Sequence, residues 1–326
     1  MKRFVFVGVL TLLLYCGIGF PSDTAFAADY PDRPIHWVVP YPPGGTTDVI
    51  ARNVAQTVSR ILGQSIVVDN RSGAGGLLAM NSVAKAEPDG YTLLVSDASL
   101  ATAPSLFKEL LFDPTKDLQP IALFATVPHI VVVNPTVLAD SLGELIALTK
   151  REPGQLNFGS GGVGSPLHLA GEALRAETGI AWTHIPYRGA APAILAVVSN
   201  EVQIATPSLP AALPLVQAGK LRALAVMSPK RLPVLPDIPT VAELGFPKAT
   251  VLGWVGLHAP TGTLPAVLHT LEAAVSKALQ DPELREHLAA QGADVTSETD
   301  GVYGKRVADE TVRWKMIVQM AGIAPQ

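Results

Sequence analysis

Short β-branched runs alternate with helix-period segments along most of this chain, and Gly, Pro, Ser and Thr cluster where strand gives way to helix. That alternation specifies an α/β fold in which helices cover a largely parallel sheet. The run Ile35 to Val39 reads as a strand, 41–47 as a loop, and 48–62 as a helix with Ile50, Val54, Val58 and Ile61 on one face and Gly63 as its stop. A strand at 65–69, a helix opening at Gly73 and a strand at 91–95 follow, then strands at 121–126 and 130–133. A second series begins near Asn134, where Ser141 and Glu144 form a capping box. Its strands fit 156–159, 182–186, 202–205 and 221–227, with helices opening near Ser165, Ala190 and Leu209. Beyond a Pro-rich stretch at 229–239, a strand at 252–258 and helices over 265–291 and 302–320 complete the reading.

Three loops after strands are unusually rich in glycine and hydroxyls. They are Pro42-Pro43-Gly44-Gly45-Thr46-Thr47-Asp48, Gly159-Ser160-Gly161-Gly162-Val163-Gly164-Ser165-Pro166 and Tyr187-Arg188-Gly189-Ala190-Ala191-Pro192. In open α/β sheets, ligands sit at the carboxyl ends of strands, facing helix N-termini. Glycine lets the backbone approach a ligand, and a helix start presents unpaired N–H groups with partial positive charge. An anion can therefore bind there without Lys or Arg. The loops match neither a dinucleotide fingerprint nor a P-loop, since G-x-G-x-x-G is absent after the first strand and no Gly-Lys-Ser/Thr follows. Substitution at Gly45 or Gly164 is expected to weaken binding more than loss of Arg188, which reads as solvent-facing.

The N-terminus sets the compartment. Lys2 and Arg3 precede an apolar run to Phe20, and Ala25-Phe26-Ala27 offers a small-x-small cleavage site, the layout of a secretory signal peptide at 1–27. Processing after Ala27 shifts the net charge from −4 to −5 and removes Cys16, the only cysteine. A mature chain without cysteine has no disulfide or thiol nucleophile, and an acidic one has no footprint for nucleic acid. No two histidines share the spacing of a metal pair, and no cofactor or metal is expected.

From Tyr30 onward the chain resembles the Bug family, the periplasmic solute receptors of tripartite tricarboxylate transporters. The resemblance rests on Tyr30-Pro-Asp-Arg-Pro-Ile, Pro42-Pro-Gly-Gly-Thr-Thr-Asp-Val-Ile-Ala-Arg, Asp69-Asn-Arg-Ser-Gly-Ala-Gly-Gly, Pro88-Asp-Gly-Tyr-Thr-Leu-Leu, Gly164-Ser-Pro-Leu-His-Leu-Ala-Gly-Glu, His184-Ile-Pro-Tyr-Arg-Gly-Ala-Ala-Pro-Ala and Ala218-Gly-Lys-Leu-Arg-Ala-Leu-Ala-Val. It implies a two-lobed, type II-like Venus flytrap in the periplasm that closes on a small organic acid and hands it to membrane permease subunits. The first lobe is expected over 28–133 and 235–326, and the second over 134–234. The resemblance places Gly45, Thr46 and Thr47 at the ligand, beside Ser96, Asp97 and Ser99. From the second lobe it brings Ser160, Gly164, Ser165, His168, Tyr187, Gly189, Ala190 and Ser208. Two positions depart from the family pattern: Asp97 stands where a small residue or hydroxyl is usual, and Pro207-Ser208 where an Asp-Asn pair is common.

Asp97 reads as a solvated loop residue, or functionally as a counter-charge for an ammonium or hydroxyl on the ligand. His168 reads as a local hydrogen-bonding histidine rather than a catalyst. An enzyme would need an activated nucleophile, and Ser165 with His168 is the only adjacent candidate, without a G-x-S-x-G elbow. The chain is therefore expected not to be an enzyme. A sensor protein is the alternative partner to a permease.

Overall fold

A computed structural model describes residues 30–296 and 298–325. The expected signal peptide and its cleavage site lie outside the described residues. Among the described residues, no helix is long and apolar enough to cross a membrane.

The chain builds two sheets. The first begins with β1 (Ile35–Val39), α1 (Thr46–Leu62), β2 (Ile66–Asn70), α2 (Leu77–Ala84), β3 (Thr92–Asp97) and α3 (Ser99–Leu106), and reaches β4 (Leu118–Pro128). The second holds β5 (Ile130–Val133), α4 (Leu142–Arg151), β6 (Asn157–Ser160), α5 (Pro166–Thr178), β7 (Thr183–Pro186), α6 (Ala190–Val198), β8 (Ile204–Ala205), α7 (Leu209–Gln217) and β9 (Arg222–Val226). The chain returns to the first sheet with β10 (Leu252–Pro260), then adds α8 (Pro265–Ala278), α9 (Pro282–Ala290), β11 (Asp294–Val295) and α10 (Asp300–Met320). The sheet orders are β11-β4-β10-β3-β1-β2 and β7-β6-β8-β5-β9. Strands β1, β2 and β3 are parallel, and β10 runs antiparallel between β3 and β4.

Local chemistry accounts for several element ends. Gly63 stops α1 in the left-handed region at φ 68°, its N–H bonded to the Ser59 carbonyl. The Ser141 side chain caps α4 by accepting from the Glu144 N–H. Three elements differ from the sequence expectation. The helix expected over 265–291 is two helices, because Asp281 caps a new start with Pro282 at its first position. Helix α3 and strand β11 occupy segments to which the sequence reading assigns no element.

The expected stripe of α1 is buried at Ile50, Val54 and Val58, packing with Ile35, Trp37 and Val39 of β1 and Leu271 and Val275 of α8. Fully burying each such side chain stabilises the fold by roughly 1.5–3 kcal/mol. A second cluster joins the halves, uniting Leu94 and Leu106 from the first sheet's side with Leu169, Leu174 and Phe158 from the second, and Trp314 and Val318 of α10.

The chain crosses between the sheets twice, near the expected boundaries at 133/134 and 234/235. Strand β5 pairs with β8 and β9, so the outward crossing falls at His129, directly after β4. On the return, the Val226 N–H bonds Pro239 O and the Val241 N–H bonds Val226 O, tying 239–241 to the second sheet. The two crossings meet: His129 N–H donates to Val251 O at 3.2 Å, Val251 N–H to Met227 O at 2.8 Å, and Met227 N–H to His129 O at 2.8 Å.

Candidate functional site

A cavity of about 240 Å³ opens between the two sheets beside this junction. The first sheet's side contributes Tyr41, Thr46, Thr47, Asp97 and Ala98, and the second contributes Gly161, Ser165, Leu167, Gly189, Ala190 and Ser208. The floor comes from the crossing and β10: His129, Gly253, Trp254 and Val255. Five helices, α1, α3, α5, α6 and α7, begin at or next to these lining residues. Their first N–H groups have no carbonyl partner within the helix and carry the positive end of the helix dipole. No Lys or Arg lines the cavity among the described residues.

Each loop is shaped by its own bonds. Asp48, 2% exposed, accepts from the Gly44 N–H at 2.8 Å, the Asn70 side-chain amide at 2.9 Å and Arg52 Nε at 3.0 Å, which fixes the turn leading to Thr46 and Thr47. Burial raises its pKa, but the hydrogen bonds from Arg52, Gly44 and Asn70 outweigh that and hold it below the usual carboxylate range. Asp48 is thus structural. In the second loop, Gly161 packs so close to Gly189 and Ala190 that a Cβ would meet their backbone atoms at 3.0 and 3.1 Å. The two glycine loops of the second sheet therefore share one wall.

Of the expected site residues, Thr46, Thr47, Asp97, Ser165, Gly189, Ala190 and Ser208 line the cavity. The others stand behind or beside it. Gly45 is the exposed N-cap of α1. Ser96 is fully buried within the first sheet, its Oγ 2.7 Å from His258 Nδ1 and 3.0 Å from Tyr303 Oη, so it does not face the cavity. Ser99 supports Asp97, donating from both its N–H and its hydroxyl. Ser160 turns away to His184 Nε2 at 2.6 Å. Gly164, at φ +77°, packs against Leu106 and donates its N–H to His168 Nδ1 at 3.0 Å. Tyr187 points outward, its hydroxyl donating to Glu201 at 2.9 Å.

His168 stacks on His184 with ring centroids 4.0 Å apart. Burial, then the nearby His184 and Arg175, lower its pKa to about 4, so it stays neutral with Nδ1 accepting. Ser165 Oγ meanwhile accepts from the His168 backbone N–H at 3.3 Å. The imidazole is thus engaged with Gly164 rather than with the serine hydroxyl, and the two do not form a nucleophile–base pair.

Asp97 is not a solvated loop residue. It ends β3 at 9% exposure and accepts from Ser99 N–H at 2.9 Å, Tyr41 Oη at 3.2 Å and Thr47 Oγ1 at 3.2 Å. Burial pushes its pKa up, against the pull of those hydrogen bonds.

Sequence reasoning missed Tyr41, His129 and Trp254. His129 is the single polar residue between the strand runs 121–126 and 130–133, and that interruption marks the crossing. Its Nδ1 lies 2.7 Å from Thr206 O. A carbonyl only accepts, so Nδ1 carries the hydrogen and Nε2 is an acceptor. Trp254, expected as core, is 1% exposed, donates Nε1–H to Glu310 at 2.9 Å and still shows one face to the cavity.

Comparison with known proteins places these features among relatives. The model of the tripartite tricarboxylate transporter family receptor matches residues 50–323. The protein BugT of Bordetella pertussis is 40% identical over 308 residues, 94% of this chain and 94% of the relative. Among solved structures, Rpa4515 of R. palustris with adipate superposes with a TM-score of 0.85 at 34% identity, covering 91% of this chain and all of that one (100%). The periplasmic binding protein BugD gives 0.83 at 33% identity, with 91% and 100% covered. MatC from Rhodopseudomonas palustris with bound malate gives 0.80 at 34% identity, with 89% and 100% covered.

Proposed function

Because the chain belongs to the tripartite tricarboxylate transporter receptor family, we infer that it is a periplasmic receptor that captures a small carboxylate for the membrane subunits of such a transporter. The observation that carries this reading is the convergence of five helix starts on one cavity whose wall, among the described residues, contains no Lys or Arg. Helix-end contacts of about 0.3–2 kcal/mol and hydrogen bonds of about 0.5–1.5 kcal/mol net each can together approach the roughly 8 kcal/mol of a micromolar site. Relatives solved with adipate and malate support the ligand class.

Capture requires contacts from both sheets, so the halves act as lobes that close by a hinge at the His129, Met227 and Val251 crossing. The ligand leaves chemically unchanged, in keeping with a Ser165 and His168 that are not paired for nucleophilic attack. Calorimetry of mature protein against a panel of carboxylates, with recovery of the ligand afterwards, tests the reading. Saturable binding of an acid recovered intact is expected; turnover of the ligand, or no binding across the panel, defeats it.

A further inference from the structure

Among the described residues, the cavity wall holds the carboxyl group of Asp97 and no basic side chain. Asp97 lies on that wall, and the described residues place no Lys, Arg or charged His within ion-pair distance of it. Every contact to its carboxylate comes from a donor: Tyr41 Oη, the Ser99 N–H and the Ser99 hydroxyl on Oδ1, and Thr47 Oγ1 on Oδ2. Oδ2, with a single donor, retains capacity for another. These donors lower the cost of ionising a buried carboxyl group, and a cation placed against Oδ2 would lower it further.

A second acceptor stands in the floor. His129 Nε2 has no hydrogen-bond partner among the described residues, because the ring is oriented through Nδ1–H on Thr206 O. Burial lowers the pKa of this ring, so it remains neutral and Nε2 remains an acceptor. The rest of the floor and the α5 wall is apolar: Val127, Leu167, Trp254 and Val255. A ligand carboxylate can meet the helix starts, but a second carboxylate would confront Asp97 in a site of low dielectric, where like charges repel strongly.

We propose that Asp97 makes this site select a zwitterion, a small carboxylate that also carries a cationic nitrogen and an apolar remainder, over dicarboxylates and simple monocarboxylates. The proposal rests on the carboxylate-receptor reading and narrows it. The nitrogen donates to Asp97 Oδ2, and the carboxylate is held by the N–H groups at the starts of α1, α5 and α6. The bound ligand then brings no net charge, and the protein charge at Asp97 is compensated where it is buried.

Matched pairs that differ only in the amino group decide this by calorimetry on mature protein: leucine with 4-methylpentanoate, phenylalanine with 3-phenylpropanoate, and glutamate with glutarate. Isopentylamine supplies the nitrogen without the carboxylate. The amino-bearing member of at least one pair should bind tenfold or more tighter than its partner. Asp97→Asn should abolish that preference, with the amino-bearing member falling to the affinity of its des-amino partner. Should the variant fail to fold, the wild-type pairs still decide. If the acids bind but in no pair the amino-bearing member binds wild type more tightly than its des-amino partner, the proposal is overturned while carboxylate capture stands. Isopentylamine binding as tightly as leucine supports the role of Asp97 but refutes carboxylate capture, and binding by no member overturns both.

Discussion

Thr46 Oγ1 at the start of α1 lies 3.2 Å from Ser208 Oγ at the start of α7, across 162 positions of sequence and from opposite sides of the cavity. Both residues line the cavity, so this hydrogen bond crosses between its two sides and links residues associated with the two sheets directly. If the sheets close on a ligand as proposed, closure and ligand contact would be coupled through the same two side chains.

Removing either hydroxyl should weaken ligand retention without unfolding the protein. Thr46→Val and Ser208→Ala each remove a bond of about 0.5–1.5 kcal/mol, roughly two- to twelvefold in Kd. The loss should appear mainly as faster dissociation. Stopped-flow release of bound ligand, beside an unchanged melting temperature, checks this; unchanged release in both variants refutes a closing role for the pair.

The glycines should separate in a way that revises the simple expectation of equal sensitivity. Gly164 sits at φ +77°, where a Cβ would also meet Leu106 at 2.8 Å. Left-handed backbone costs a non-glycine residue about 1–2 kcal/mol, and displacing Leu106 adds to it. Gly164→Ala should weaken binding about tenfold or more. Gly45, at φ −77° with only Pro42 O at 3.9 Å from its added Cβ, should tolerate alanine within about threefold. Exposed Arg188→Ala should behave like Gly45→Ala. Parallel titrations of the three variants distinguish loop geometry from side-chain charge; if only Arg188→Ala loses affinity, backbone capture is wrong.

Ser96→Ala should cost stability rather than affinity. Its hydroxyl connects His258 Nδ1 and Tyr303 Oη in the buried first sheet, and deletion leaves one of these polar groups without its partner, a penalty of about 1–3 kcal/mol. Denaturant unfolding should show the loss, while Kd for a confirmed ligand stays within twofold or so. A selective loss of affinity at full stability would return Ser96 to the binding site.

Acid should loosen the second glycine loop. His168 is neutral when folded, with its pKa lowered to about 4 by burial and by His184 and Arg175, whereas an unfolded histidine takes up a proton near 6.5. The unfolded chain binds more protons throughout that window, so stability is complete above about pH 6.5 and falls as pH drops toward 4. Protonating Nδ1 also breaks the bond from the Gly164 N–H. His168→Asn keeps an acceptor near Nδ1 and removes the titration. Melting temperatures from pH 7 to 4 should therefore fall less steeply in the variant, though His184, also lowered by burial, retains part of the slope.

Much of this protein was legible in its sequence because the signals are local. A β-branched apolar run places β1 and period-3.6 burial places α1, Gly63 and Ser141 mark helix ends, and three glycine loops announce helix starts, the first two of them free of basic side chains. What local signals could not supply is the direction in which a side chain looks once distant strands pair. Ser96 and Asp97 are neighbours in β3, yet alternation along the strand sends one to His258 and Tyr303 inside the sheet and the other to the cavity. Asp97 lost its solvent only when Tyr41, Thr47 and Ser99 closed around it. His129 became part of the floor because β5 paired with β8 and β9, moving the crossing to a residue whose role no neighbour in sequence reveals. Turn chemistry acts over a few bonds and is written in the chain, whereas burial and charge compensation depend on which surfaces meet, and only the packed sheets decide that.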